Sequence, residues 1–166
     1  LALHFLRKAG VRAGQNVLVF GASGAVGTSA AQLARHLGAN VTGVCSTANV
    51  DLVRSLGATR VVDYTVEDFA DVEEHYDLVF DAVGKNKSTS ALQRCKQVLA
   101  PGGACISVDD GRPKLRREDL MLLGDLATKG EIRPVIDRTY TLDNIVAAHR
   151  YVDRGHKRGN VIITVT

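Results

Sequence analysis

Residues 17–27, VLVFGASGAVG, run four apolar residues into a turn that carries Gly21, Gly24 and Gly27. A backbone this bare at the end of an apolar strand is either a plain tight turn or a place where something must approach the main chain closely. The turn alone does not decide between the two; the pattern on both sides does.

Upstream, Leu3, Phe5, Leu6 and Ala9 have helical spacing, and Gly10 stops that turn. Val17–Phe20 is a short β-type run. The small and apolar residues from Gly24 to Leu37 predict a helix, with Gly38 as its C-terminal stop. Val41–Cys45 is a second strand, Val50–Leu56 a helix ended by Gly57, and Val61–Val62 the start of a third strand. Tyr76–Gly84 carries a fourth strand. Leu92–Leu99 reads as a helix closed by Pro101-Gly102-Gly103, and Ala104–Val108 as a fifth strand. Strand and helix alternate at spacings of about 20–30 residues, the rhythm of βαβ units on a parallel sheet. The strands are almost wholly apolar, as strands covered on both faces must be. Right-handed crossovers then give an α/β, doubly wound parallel sheet, a Rossmann fold. After Val108 the rhythm changes. A polar link leads to a helix over Glu118–Lys129, then a strand over Pro134–Tyr140, a helix near Asp143–Asp153 and a last strand, Val161–Val165. The division expected is 1–130 for the sheet domain and 131–166 for a separate C-terminal segment.

Composition bounds the class. The chain has 166 residues, 45% hydrophobic and 23% charged, enough for one globular core without staples. The formal net charge is +3, with basic runs at Arg112, Lys114, Arg116 and Arg117 and at Lys157 and Arg158. Neither run has interleaved aromatics and tryptophan is absent, so a nucleic-acid platform is not expected. Cys45, Cys95 and Cys105 show no C-x-x-C spacing; an odd count without close pairs suits a reducing compartment, with Cys45 and Cys105 as small core residues. No apolar run reaches the length of a membrane span, and a cytoplasmic location is expected. The chain starts at Leu1 in mid-pattern, which reads as a cut end with room for a segment upstream.

In an open α/β sheet, ligands bind at the carboxyl edge where the strand order reverses. There Gly24 would let a pyrophosphate approach the main chain, Gly27 would let the helix pack on the strand, and Ser23 and the amides of Ala25 and Val26 would face the phosphates with the helix dipole behind them. In the G-x-G-x-x-G pattern, Ala22 takes the first glycine position. A site selective for NAD(H) ends its second strand in Asp or Glu. Here Ser46, Thr47 and Asn49 stand instead, the first acid being Asp51. A 2′-phosphate is tolerated where a carboxylate would repel it, so NADP(H) is favoured over NAD(H). Arg54 is the nearest base. Ser46 and Thr47 equally suit a helix N-cap. Tyr64 either stacks near the adenosine or covers the sheet edge. Val83 and Gly84 end the fourth strand with room for ribose or adenine, and Val108 ends the fifth on the nicotinamide side.

The ordered set GASGAVG, LGANVTGVCST, LVRSLGATRVVDYT, YDLVFDAVG and LAPGG resembles the medium-chain dehydrogenases/reductases, most of all their zinc-independent, quinone-oxidoreductase-like branch. The tail KGEIRPVIDRTYTLDNIVAAHRYVDRGHKRGNVIITV is similar to that family's C-terminal segment. The resemblance covers essentially the whole chain. It implies a cofactor-binding domain whose partner, an N-terminal GroES-like catalytic domain, is missing here, and a segment 131–166 that would pack on that partner. It implies hydride transfer between nicotinamide and a quinone, enone or carbonyl substrate held between the two domains, with this chain alone not catalytic. It places Gly24, Ala25, Val26, Gly27, Ser46, Tyr64, Val83 and Gly84 on the cofactor, with Lys157, Arg158 and Asn160 toward the nicotinamide end. Two departures stand out. Many relatives carry a lysine near Asn49, and the link from Asp109 to Glu118 is short, so that a sixth sheet strand, often the dimer edge, would be absent. A homodimer is one open outcome; a membrane or nucleic-acid partner is not expected.

No side chain reads as a catalytic acid or base, and no Cys/His cluster has metal-ligand spacing. An S-adenosylmethionine methyltransferase is a second reading, because LAPGG before an apolar strand occurs there too. Its acids in the first turn and at the end of the second strand are absent. Short-chain dehydrogenases need Tyr-x-x-x-Lys, which Tyr64, Tyr76, Tyr140 and Tyr151 all lack. A non-enzymatic dinucleotide-binding module is the third reading.

Overall fold

A computed structural model describes residues 1–69, 74–85 and 93–165. The elements run α1 (Ala2–Lys8), β1 (Asn16–Phe20), α2 (Ala25–His36), β2 (Asn40–Cys45), a 3-10 turn (Thr47–Asn49), α3 (Val50–Ser55), β3 (Arg60–Asp63) and β4 (Tyr76–Asp81). A helix α4, described over residues 93–95, precedes β5 (Leu99–Ser107). Then come α5 (Arg117–Thr128), β6 (Ile136–Thr141), a 3-10 turn (Leu142–Asn144), α6 (Ile145–Asp153) and β7 (Asn160–Thr164).

The main sheet has five strands in the order β3-β2-β1-β4-β5, every pair parallel. This is the doubly wound arrangement, with β1 at the centre, where the strand order reverses. Alternate residues of each strand point to opposite faces, and both faces are dry. Val17, Val19, Val41, Leu78 and Phe80 pack with α1, α2 and Leu126 of α5 in one cluster. Leu18, Val44, Val62 and Val79 pack with Phe69, Cys95 and Val98 in the other. The apolar runs of β1, β2 and β4 are thus covered on both sides, whereas β5, at the edge of the sheet, buries only Ser107.

Residues 131–165 form a smaller layer in which β6 and β7 pair in parallel around α6. It is tied to α2 by hydrogen bonds from Arg133 N to Gln32 Oε1 (2.8 Å) and from Gln32 Nε2 to the Arg133 carbonyl (3.0 Å).

Two expectations are corrected. The helix read over Leu92–Leu99 ends earlier: residues 93–95 are helical, Leu92 lies outside the described residues, and Leu99 already belongs to β5. Pro101-Gly102-Gly103 does not close a helix but forms a bulge inside β5. Tyr76 pairs with Leu99, yet Leu78 pairs with Ala104, so residues 100–103 stand where Asp77 alone lies on β4. A proline with no N–H and two glycines are suited to such an insertion. The second correction concerns the cysteines. Cys95 and Cys105 are joined as a disulfide with their Cα atoms 6.6 Å apart, and Cys45 alone is free. Spacing hid this pair, because the sheet brings the end of α4 against the middle of β5.

Candidate cofactor site

At the carboxyl edge the strand ends stand in register: Asp63 beside Cys45, Val44 beside Phe20, Phe20 beside Asp81, and Asp81 beside Ser107. The segments that follow remain tied to their neighbours. The N–H groups of Gly21 and Ala22 donate to the Val44 carbonyl at 3.1 and 3.0 Å, Ala82 N to Phe20 O at 3.0 Å, Tyr64 N to Cys45 O at 3.1 Å and Val108 N to Asp81 O at 3.0 Å. The expected residues 23–27, 46, 47, 49, 64, 83, 84 and 108 therefore lie on one edge.

The glycine turn is tightly built. Gly21 turns the chain at φ +76°, and a Cβ there would lie 2.4 Å from Val83 Cγ2. At Gly27 a Cβ would lie 2.1 Å from the Gly21 carbonyl oxygen, so α2 sits against the turn only because that side chain is missing. Gly24 is the N-cap of α2 and offers no side-chain cap. Among the described residues no acceptor takes the N–H groups of Ala25, Val26 or Gly27. Three orphan donors at the positive end of a twelve-residue helix make an anion site.

Beside β2, Asn49 Nδ2 donates to Ser46 Oγ at 3.1 Å, while Asn49 Oδ1 is buried with no partner. A buried acceptor left unpaired is costly, which suits a hydroxyl donor arriving from a ligand. Thr47 Oγ1 lies 2.8 Å from Thr65 Oγ1, and the Thr65 hydroxyl donates to Asp63 Oδ1 at 2.7 Å. Hydrogen bonds from Thr47 and Thr65 hold the Asp63 carboxyl below its usual range. Tyr64 is 51% exposed on this edge.

On the other side of the turn, the buried Asp81 accepts from Val83 N (3.0 Å), Gly84 N (3.2 Å) and Ser107 Oγ (2.8 Å). It shapes the corner that presents Val83 and Val108.

The segment after Lys157 reaches the turn in a way no local pattern shows: Gly159 N donates to the Ser23 carbonyl at 2.8 Å, and Gly24 and Gly159 form a parallel bridge. Lys157 Nζ donates to the Gly159 carbonyl at 2.6 Å, and burial lowers its pKa. The C-terminal layer thus lies across the glycine turn.

A sequence profile described as zinc-binding dehydrogenase matches residues 25–140, more than half of the chain. The chain belongs to the zinc-binding dehydrogenase family. Among curated relatives, it is 32% identical over 170 residues to a 2-methylene-furan-3-one reductase of Solanum lycopersicum, covering 95% of this chain and 42% of that protein. It is 31% identical over 163 residues to a chloroplastic NADPH-dependent alkenal/one oxidoreductase of Arabidopsis thaliana, covering 91% of this chain and 41% of that protein. Among solved structures, a quinone oxidoreductase from Coxiella burnetii superposes with a TM-score of 0.83 at 27% identity, over 99% of this chain and 57% of that one. This member of the family spans about half the length, or less, of those relatives.

The family's name carries zinc, but among the described residues no group of three or more His, Cys, Asp or Glu side chains could hold a metal ion. The described residues also contain no helix long and apolar enough to cross a membrane. Sequence reasoning missed Gly21, which takes the turn-forming conformation that the pattern assigned to the position of Ala22. The buried Ala22 serves as packing. The signal was available as the glycine directly after the strand. Asp63 and Asp81, the two carboxylates that brace the edge, were also missed, although each is the last residue of its strand.

Proposed function

We propose that this chain is the NADP(H)-binding part of an oxidoreductase that acts on a quinone, enone or carbonyl substrate. The observation that carries this is the uncapped first turn of α2, with three orphan amides at the carboxyl end of the central strand. Ser23, Gly24, Ala25, Val26 and Gly27 would take the diphosphate. Ser46, Thr47 and Asn49 would take the adenosine ribose, with Tyr64 over the base. Val83, Gly84 and Val108 would line the path to the nicotinamide, and Lys157 would bring its charge across the turn. The absence of a carboxylate from residues 46–50 favours a 2′-phosphate, and the carboxylate at Asp63 is already engaged by Thr65. The relatives' names, an NADPH-dependent alkenal/one oxidoreductase among them, support the same cofactor and substrate class. When bound, the nicotinamide supplies the hydride; the protein binds, orients and shields it.

Residues 131–166 are assigned to packing on a further part of the protein that this chain lacks. Ile136, Ile145, Val146, Val152, Ile162 and Val165 are all exposed on that layer, a patch of the kind a partner surface covers.

Fluorescence titration with NADPH, NADH and S-adenosylmethionine tests the assignment. NADPH is expected to bind most tightly, without quinone reduction by this chain alone. Tighter binding of S-adenosylmethionine, or no binding of either nicotinamide, rejects it. Binding that a full-length protein also fails to turn into reduction would instead identify a non-enzymatic module.

A further inference from the structure

A second, separate concavity lies at the outer strand. It has a volume of about 490 Å³ and is lined by α1 (His4, Arg7, Lys8), by residues 110–112, Lys114 and Arg116 of the link after β5, and by Asp119 of α5. Five cations against two carboxylates leave the cleft with the same excess, +3, as the whole chain. The two carboxylates are already committed. Asp119 pairs with Arg7. Asp110 pairs with Lys85 and accepts from Ser107 N at 2.7 Å. Lys8 Nζ is held to the Asp110 carbonyl at 3.2 Å, which fixes one wall. Among the described residues, Lys8, Arg112, Lys114 and Arg116 have no carboxylate partner.

We infer that this cleft binds a small molecule carrying two or more phosphate groups. Three cations within five residues repel one another, and a multiply charged anion between them and Lys8 relieves that repulsion. Guanidinium groups match phosphate oxygens in a bidentate fork. The volume falls within the usual range for small-ligand pockets and exceeds what a single phosphate fills. No Phe, Tyr or Trp lines the cleft, so there is no stacking platform for a nucleic-acid strand. None of the residues that line the cleft is among those assigned to the cofactor. The two ligands are therefore expected to bind independently, and this site does not depend on the cofactor assignment.

The test is calorimetric titration of the 166-residue chain with inorganic tripolyphosphate and, separately, with fructose 1,6-bisphosphate. The first arm reads the phosphate chemistry alone; the second reads whether an organic scaffold fits. Saturable one-to-one binding that weakens with salt is expected. It should weaken roughly tenfold or more in R112Q/K114Q/R116Q and by a smaller factor in Lys8→Gln, which removes a single charge contributed by α1. All four side chains are on exposed residues, and an unchanged Tm and NADPH titration would show that fold and cofactor turn are intact. No binding, equal affinity in the triple variant, or displacement by NADPH overturns the inference. So does tighter binding of a short DNA duplex than of tripolyphosphate.

Discussion

Gly24 has φ −78° and ψ 176°, an extended conformation open to any residue, and a Cβ there would meet only the Gly21 carbonyl oxygen at 3.5 Å. Conformation does not require glycine at this position. Aspartate is among the best N-cap residues and would bond the orphan amides itself. Gly24→Asp is therefore expected to keep stability or raise it by about a few tenths of a kcal/mol, while abolishing nicotinamide binding because a carboxylate occupies the anion's place. A structural glycine would give the reverse result, lower Tm with residual binding. Cys45 has the opposite character. Burial, aided by the charge of Asp63, pushes its pKa up to about 11 from 9.0. The fold favours the neutral thiol, so the group's contribution is intact below about pH 9 and is lost as pH rises toward about 11. In the native chain at pH 8, thiol reagents should find no reactive cysteine, and one should appear on denaturation. Rapid native labelling would show the buried site to be open.

The elements gain their functional meaning from contacts between segments far apart in the chain. Gly159 joins the layer of β6 and β7 to the turn before α2. It sits at φ +58°, and a Cβ there would lie 2.3 Å from the Val135 carbonyl oxygen. Gly159→Ala should cost about 1–3 kcal/mol through that clash and the left-handed backbone. It should weaken NADPH binding as well, although residue 159 lies outside every nucleotide motif. A Tm loss with unchanged cofactor affinity would separate the strap from the site. The strand–turn–helix unit at residues 17–36 was legible because its signals are local: an apolar run, bare glycines and small residues at helical spacing. The bulge at Pro101-Gly102-Gly103 was not, because proline and glycine read equally as a helix stop. Only the pairing of Leu78 with Ala104 shows that the strand continues through them. The Cys95–Cys105 bond was hidden for the same reason.

Across the whole molecule, burial is uneven. The central strands are shielded on both faces, whereas β6 and β7 are half-buried or exposed along their length, and Ala148 is the one buried residue of α6. Local opening follows such differences. Amide exchange in residues 136–164 should be faster than in residues 17–45, and the packing proposed for this layer predicts a smaller difference in a longer protein of the relatives' length. Equal protection in the isolated chain would mean that the layer does not depend on a partner.

The sequence by itself determined the parallel five-stranded sheet, its strand order class and the glycine turn, because periodicity and glycine placement act over a few neighbouring residues. It also pointed to the stretch around Lys157, but only through resemblance. The tertiary structure decided how that stretch reaches the turn, that Asp63 and Asp81 brace the edge, that Cys95 meets Cys105, and that Lys8, Arg112 and Lys114 line one cleft. Each of those depends on which segments the sheet and its covering helices bring together, and no spacing along the chain records that.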